Sequence, residues 1–317
     1  MQILSKTNFN FIKWRWHAIA LSAVIIIAGV GTIVMQPGGL KLGIEFSGGT
    51  ELLLRFEQPV SEDAVRGALA SIQGEKSVQR YGAAADNMVL VRLPQLLQVE
   101  TGQTLDDGAE SVLQLLRQAN IGAFTPDRTD IVGPAIGADL RSKGIWATIT
   151  ALAGIMIYIA LRFRFTFAVG AIVATLHDVV ICLIFLNWFG YELSLNIIAA
   201  LLAMTGYSVN DTIVVFDRVR ENTRTMRKDN LEPLVNTSVN QTLSRTVITA
   251  GTTFLAVAGL YLYGGEALEG FAFTLLVGII SGTYSTVFIA AAIALVLTKP
   301  TAPTQSGAAR ARAKGKS

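Results

Sequence analysis

The stretch GYSVNDTIVVFDRVREN, Gly206 to Asn222, closes an apolar run that begins near Leu195 and carries a carboxylate, Asp211, inside it. Asn210 stands beside Asp211. Ser208 lies one helical turn earlier on the same face, and Thr205 falls toward the edge of that face. At the start of another apolar run, Arg245, Thr249 and Thr252 recur at helical spacing and share a face. Two chemistries are open to an acid and an arginine so placed. One is a static ion pair joining two helices. The other is a carboxylate that exchanges a proton: burial disfavours its charge, an arginine nearby favours it, and a small movement decides between them. Asp or Arg at mid-span costs about 2.5–3.5 kcal/mol each, and Thr and small residues join helices at less cost. That expense argues for Asp211 as a proton-coupling group partnered by Arg245, with Asn210, Ser208, Thr205, Thr249 and Thr252 as supporting polar groups. His177 and Asp178 lie midway along a further run. Histidine titrates near neutrality, so this pair reads either as a proton relay or as hydrogen-bonding groups facing a neighbouring helix or a partner.

These residues need helices in a bilayer to position them. Of 317 residues, 51% are hydrophobic and 15% charged, with mean hydropathy +0.49. Soluble domains average about 25% charged. Six runs are long enough to cross about 30 Å of hydrocarbon: Ile19–Met35, Ile145–Leu161, Thr166–Leu186, Leu195–Phe216, Thr246–Tyr263 and Phe271–Leu297. The first reads as an uncleaved anchor, since no small-x-small site precedes Gln36. Lys and Arg lie before the first run, at Arg162 and Arg164, from Arg218 to Lys228, and in the tail. The alternate loops, NWFGYELS and YGGEALEG, have none. The positive-inside rule then puts both termini in the cytoplasm and the large segment between the first two runs outside. By this reading 1–18 is a cytoplasmic N-terminus, 19–36 the first span, 37–143 an outward domain, and 144–298 a five-helix bundle. Residues 299–317 read as a disordered basic tail. On Asp211, six residues before Asp217 at the cytoplasmic end, the depth is about 9 Å at about 1.5 Å per residue.

The outward segment has more Asp and Glu than Lys and Arg. TELLLRF, SVQRYG, NMVLVRL and AFTPDRTDIVG have strand character, and SEDAVRGALASIQ and LDDGAESVLQLLRQA read as helices with acids at their starts. The order β-α-β-β-α-β predicts a small α+β domain of ferredoxin-like type. GIEFSGGT before it and VGPAIGADLRSKG after it hold Gly43, Gly48, Gly49 and Gly133. These glycines read as hinges between domain and bilayer or as ordinary linker turns. With two histidines and one cysteine, Cys182, a His-rich metal site is excluded and no disulfide can form within the chain. No cofactor motif and no nucleic-acid patch is present, and no enzyme is expected.

GIEFSGGT, VGPAIG, HDVV, GYSVNDTIVVFDRVREN, LSRTVITAGTT and GGEALEGF, in this order, resemble the SecF family of membrane subunits of the bacterial Sec protein-export machinery. The first and fourth of these are the specific ones. Glu45 stands where that family often has Asp, which keeps the charge on a longer arm. The resemblance implies a polytopic protein of the cytoplasmic (inner) membrane with a periplasmic domain, half of a twelve-span assembly of resistance–nodulation–division type formed with SecD. It implies an auxiliary translocase subunit that uses the proton gradient to promote late preprotein export, with SecYEG, YajC and the translocating preprotein as further partners. It also places the coupling role on Asp211 and Arg245. Against it stand a proton-driven exporter of lipids or small amphiphiles, which would need a substrate tunnel, and a passive scaffold without energy coupling.

Overall fold

A computed structural model describes residues 7–36, 39–72, 77–82, 86–93, 105–226 and 231–298. The tail from 299 onward, Lys6, Arg227 and Lys228 of the charge argument, and the start of the chain before residue 7 lie outside the described residues.

Among the described residues, six helices are long and apolar enough to cross a membrane. Span one is α1 (Arg15–Met35), preceded by a 3-10 turn at Ile12–Trp14. Spans two to five are continuous helices: α5 (Pro134–Arg162), α6 (Phe165–Trp188), α7 (Leu195–Thr225) and α8 (Leu231–Tyr263). Span six is α9 (Glu266–Ser285), a π-helical segment (Thr286–Ala290) and α10 (Ala291–Leu297). The second span starts earlier than hydropathy predicts, because Gly133 caps it and Pro134 sits at its first turn, where a missing N–H costs nothing. Residues 134–143, read from sequence as linker, are therefore helix. Spans four and five likewise extend as one long hairpin past the apolar runs, held by Val215, Phe216, Val219, Leu234, Val235 and Val239.

Spans three and six are central: 56% and 61% of their apolar segments are buried, against 6% for span two and 11% for span five. Lipid is as apolar as leucine, so these helices associate through close packing of small residues. A Cβ at Gly282 would lie 2.8 Å from Ser208 Cβ, and one at Gly278 the same distance from Met204. Both figures are below van der Waals contact, so GIISG is where spans four and six approach closely. Gly170 on span three faces the Ala290 carbonyl of the π segment in the same manner.

The domain between spans one and two follows the predicted order, β1 (Gly49–Phe56), α3 (Glu62–Ala68), β2 (Ser77–Tyr81), β3 (Met88–Leu93), α4 (Leu105–Gln118) and β4 (Phe124–Val132). One turn of helix, α2 (Ile44–Ser47), precedes it. The sheet is antiparallel in the order β2-β3-β1-β4, the ferredoxin-like arrangement. Leu52, Leu54, Phe56, Val89 and Val91 alternate onto the face covered by α3 and α4, where Val65, Leu69, Val112 and Leu116 complete a dry core. Each such side chain contributes about 1.5–3 kcal/mol when fully buried. Ser61 caps α3 by accepting from Ala64 N–H at 3.2 Å.

The domain is stitched to the helices at its entry. Gly43 N–H donates to Leu193 O at 2.8 Å, and Leu193 N–H donates to Lys41 O at 2.8 Å, forming a single parallel rung to the loop between spans three and four. Gly48 (φ 71°) and Gly49 (φ 132°) take conformations that side chains resist. At Gly137 of α5 an added Cβ would lie 3.1 Å from Gly48 N. The glycines expected as hinges thus sit at a close-packed corner: Gly43 in the stitch, Gly48 and Gly49 in the turn, and Gly133 at the cap of span two.

At the other end, Asn240 binds both Phe9 N (2.9 Å) and Phe9 O (2.8 Å), and Asn236 binds Phe9 O at 3.0 Å. Arg15 reaches Glu232 at 2.9 Å. The chain ahead of span one is thereby held against the first half of α8.

Candidate functional site

Helix α7 buries Thr205, Ser208, Thr212, Val215, Val219 and Asn222, a stripe at three- and four-residue spacing. Asp211 lies at the edge of this stripe and is half-buried. Asn210, about 100° further round the helix, is exposed. On α8 the buried stripe is Ser238, Thr242 and Thr246, each four residues from the next. These stripes meet at Asp211, where Thr246 Oγ1 donates to Oδ1 at 2.6 Å. Oδ2 is buried and has no hydrogen-bond partner among the described residues.

Helical spacing predicts Arg245 opposite Asp211. The structure puts Thr246 there. Arg245 is exposed on the adjoining face of α8 and makes no ion pair among the described residues, but its charge lies close enough to act on Asp211. Thr249 and Thr252 share that exposed face, and their hydroxyls donate back to carbonyls of their own helix at 2.8–3.1 Å. Thr205 does the same inside α7, to Leu201 O at 2.7 Å. Of the polar groups grouped by sequence around Asp211, the structure brings none into hydrogen-bond contact with it. The signal for Thr246 was present in the S-x3-T-x3-T periodicity of Ser238, Thr242 and Thr246, which marks the face turned toward α7.

Ser208 serves the other carboxylate. Its hydroxyl donates to Asp178 Oδ2 at 2.6 Å, Ser285 donates to the same oxygen at 2.7 Å, and Ser281 donates to Oδ1 at 2.6 Å. His177 Nδ1 lies 3.1 Å from Oδ1, and its Nε2 lies 3.0 Å from Ser22 Oγ on span one. Tyr284 stacks on the His177 ring, lies 3.0 Å from Ser22 Oγ, and donates to Ala18 O at 2.6 Å. Asp178 is 0% exposed. The pair thus hydrogen-bonds to spans one, four and six. Ser22, Ser281, Tyr284 and Ser285 escaped sequence reasoning, since serines in apolar runs are ordinary packing residues.

In the α+β domain, Glu51 of β1 is buried between Arg92, in direct ion-pair contact, and Arg128 at 2.7 Å. Arg92 also contacts Glu192 of the loop between spans three and four, so one guanidinium ties the sheet to the membrane helices. Tyr191, in the same loop, donates to Glu269 at 2.5 Å. Burial pushes the Tyr191 phenol above its ordinary value, and Glu269 adds to the shift, so the hydroxyl keeps its proton as donor. The cleft between the sheet and these loops encloses about 770 Å³.

The residues match two family models: the C-terminal region of the protein export membrane protein SecD/SecF over 112–300, and the SecD/SecF GG motif over 38–60. The chain belongs to the SecD/SecF family. It is 40% identical over 299 residues to protein translocase subunit SecF of Desulfurispirillum indicum, covering 92% of this chain and 91% of that one. To the SecF subunit of Escherichia coli O157:H7 it is 38% identical over 290 residues, covering 91% and 88%. Among solved structures it is similar to SecDF, a translocon-associated membrane protein from Thermus thermophilus, at TM-score 0.81 and 35% identity. That match covers 92% of this chain and 39% of the longer SecDF chain. The SecD/SecF motif GIEFSGGT is the close-packed corner at the domain entry, and the two carboxylates lie within the family's C-terminal region.

Proposed function

We propose that this chain is an auxiliary subunit of the Sec translocase which, paired with a SecD partner, uses the proton motive force to promote late preprotein translocation across the cytoplasmic membrane. The observation that carries this reading is the half-satisfied carboxylate of Asp211 within span four: one oxygen held by Thr246, the other buried and open to a proton or a donor. An ionisable group inside a span is a functional site by default. Arg245 supports the pairing with SecD. A cation on the exposed face of a spanning helix needs a protein or water neighbour, and the spans of a SecD half would cover it. SecYEG and YajC enter as the assembly this pair serves.

In the cycle, a proton entering from outside neutralises Asp211. The Asp211–Thr246 contact then changes, span five moves against span four, and the proton leaves to the cytoplasm. Each charge crossing yields about 2.3 kcal/mol per 100 mV, enough to shift a two-state equilibrium whose gap is a few kcal/mol. Arg245 acts from the partner interface, and His177 and Asp178 stand outside the proton path. The Lys and Arg at the ends of spans two and four support a cytoplasmic location for that side, by the positive-inside rule, and a periplasmic one for the α+β domain.

The test is preprotein export into inverted membrane vesicles carrying the full chain and its SecD partner, with and without an imposed proton gradient. Asp211→Asn is expected to assemble normally and to lose the gradient-dependent increment. A passive scaffold would keep that increment unchanged.

A further inference from the structure

The proposed cycle leaves the larger polar cluster unused. Asp178 draws donors from three helices: His177 beside it on span three, Ser208 on span four, and Ser281 and Ser285 on span six. The sixth span is shaped for this. Ser281 and Ser285 are four residues apart on α9, and the π segment begins at the next residue, Thr286, whose hydroxyl meets Thr212 of span four at 2.8 Å. A π turn shifts the helix register, so consecutive residues face span three and span four. Gly282 leaves the space that lets Ser208 approach. His177 then carries the cluster across to span one through Ser22, with Tyr284 of span six closing the ring. Span one contributes few other buried contacts: Ala18, Ser22 and Gly29 are the buried residues of α1.

Ser208 lies one turn before Asp211 on the same helix. Asp211 contacts span five, and Ser208, through Asp178 and His177, contacts span one. We infer that His177 and Asp178 are positioning residues that tie span one to the helix bearing Asp211, so that span one and the periplasmic domain at its outer end follow span four when Asp211 changes its contact with span five. This rests on the coupling role proposed for Asp211 but assigns a different set of residues a different task. The cluster transmits displacement and takes no part in proton transfer.

The experiment is the same vesicle export assay, with the full chain and its SecD partner, read as the ratio of gradient-stimulated to gradient-independent export. Ser22→Ala is expected to leave assembly and gradient-independent export unchanged and to lower the gradient-stimulated increment about threefold, the worth of one interhelical hydrogen bond. Ser22→Thr, which keeps a hydroxyl, should restore it. His177→Phe, which keeps the ring and removes both nitrogens, should lower it further. Ser22→Ala combined with Ser208→Ala should fall short of the product of the two single effects, because both act through one cluster. A full gradient response in Ser22→Ala and His177→Phe overturns the inference. So does a parallel loss of assembly and of both export components, which marks packing alone. Asp211→Asn in the same series separates the two proposals. If it keeps its gradient response, the coupling role fails; if it loses the response while Ser22→Ala keeps it, only the tie to span one fails.

Discussion

Two carboxylates lie within the same helix bundle, and their surroundings are opposite. Asp178 is enclosed by spans three, four and six, with three hydroxyls and an imidazole nitrogen on its two oxygens. Asp211 lies at the edge of span four against the outlying span five, with one hydroxyl on one oxygen and, among the described residues, none on the other. Both are acids in apolar runs, and hydropathy cannot tell them apart. The difference is hydrogen-bond satisfaction. A carboxylate whose acceptor positions are filled from several helices fixes those helices relative to one another. One that is half filled can gain or lose a partner without dismantling the bundle.

Asp178→Leu is the most direct way to break this contrast. It strands the Ser208, Ser281, Ser285 and His177 donors, each at a cost of about 1–3 kcal/mol if left unpaired. The assembled, purified complex should show a large drop in thermal midpoint or fail to accumulate; an unchanged midpoint would show that the cluster holds nothing. Gly282→Ala comes next. Its Cβ would meet Ser208 at 2.8 Å, and overpacking of that kind costs about 1–3 kcal/mol; a wild-type melting curve would show that spans four and six part freely. Thr246→Val removes the one hydroxyl on Asp211 at a cost of about 1 kcal/mol. It should leave assembly intact and change the gradient dependence of export, with Thr246→Ser restoring the native response. Asn210→Ala should be the smallest, within about 0.5 kcal/mol. A large export defect there would restore the sequence-based grouping of Asn210 with Asp211.

The six spans and the α+β domain were legible because both are written in local sequence pattern. Apolar runs of sufficient length, and alternation such as Met88–Leu93, carry their meaning locally. The helix ends were less legible. Spans four and five continue through polar residues because those residues pack against each other in the hairpin, which a hydropathy criterion does not register. Asp211 was found as an isolated charge and Arg245 as the opposite charge near it, but the hydroxyl that binds Asp211 lies one residue on, because the buried stripe of α8 runs through Thr246. On a helix that single step is about 100°, enough to turn an inward group outward. The Asp178 cluster was half visible. Its centre was noticed, and its serine donors were not, because nothing in a single sequence says which serines of four different helices converge.

The rung between Gly43 and Leu193 joins the start of the α+β domain to the loop between spans three and four. Its mechanical consequence is leverage. Strand β1 begins six residues after the rung, and its 8 residues reach about 26 Å at about 3.3 Å each. A swing of about a tenth of a radian at that corner would carry the far end of the strand through roughly 3 Å. A flexible tether would absorb so small a rotation; a welded elbow passes it on as travel.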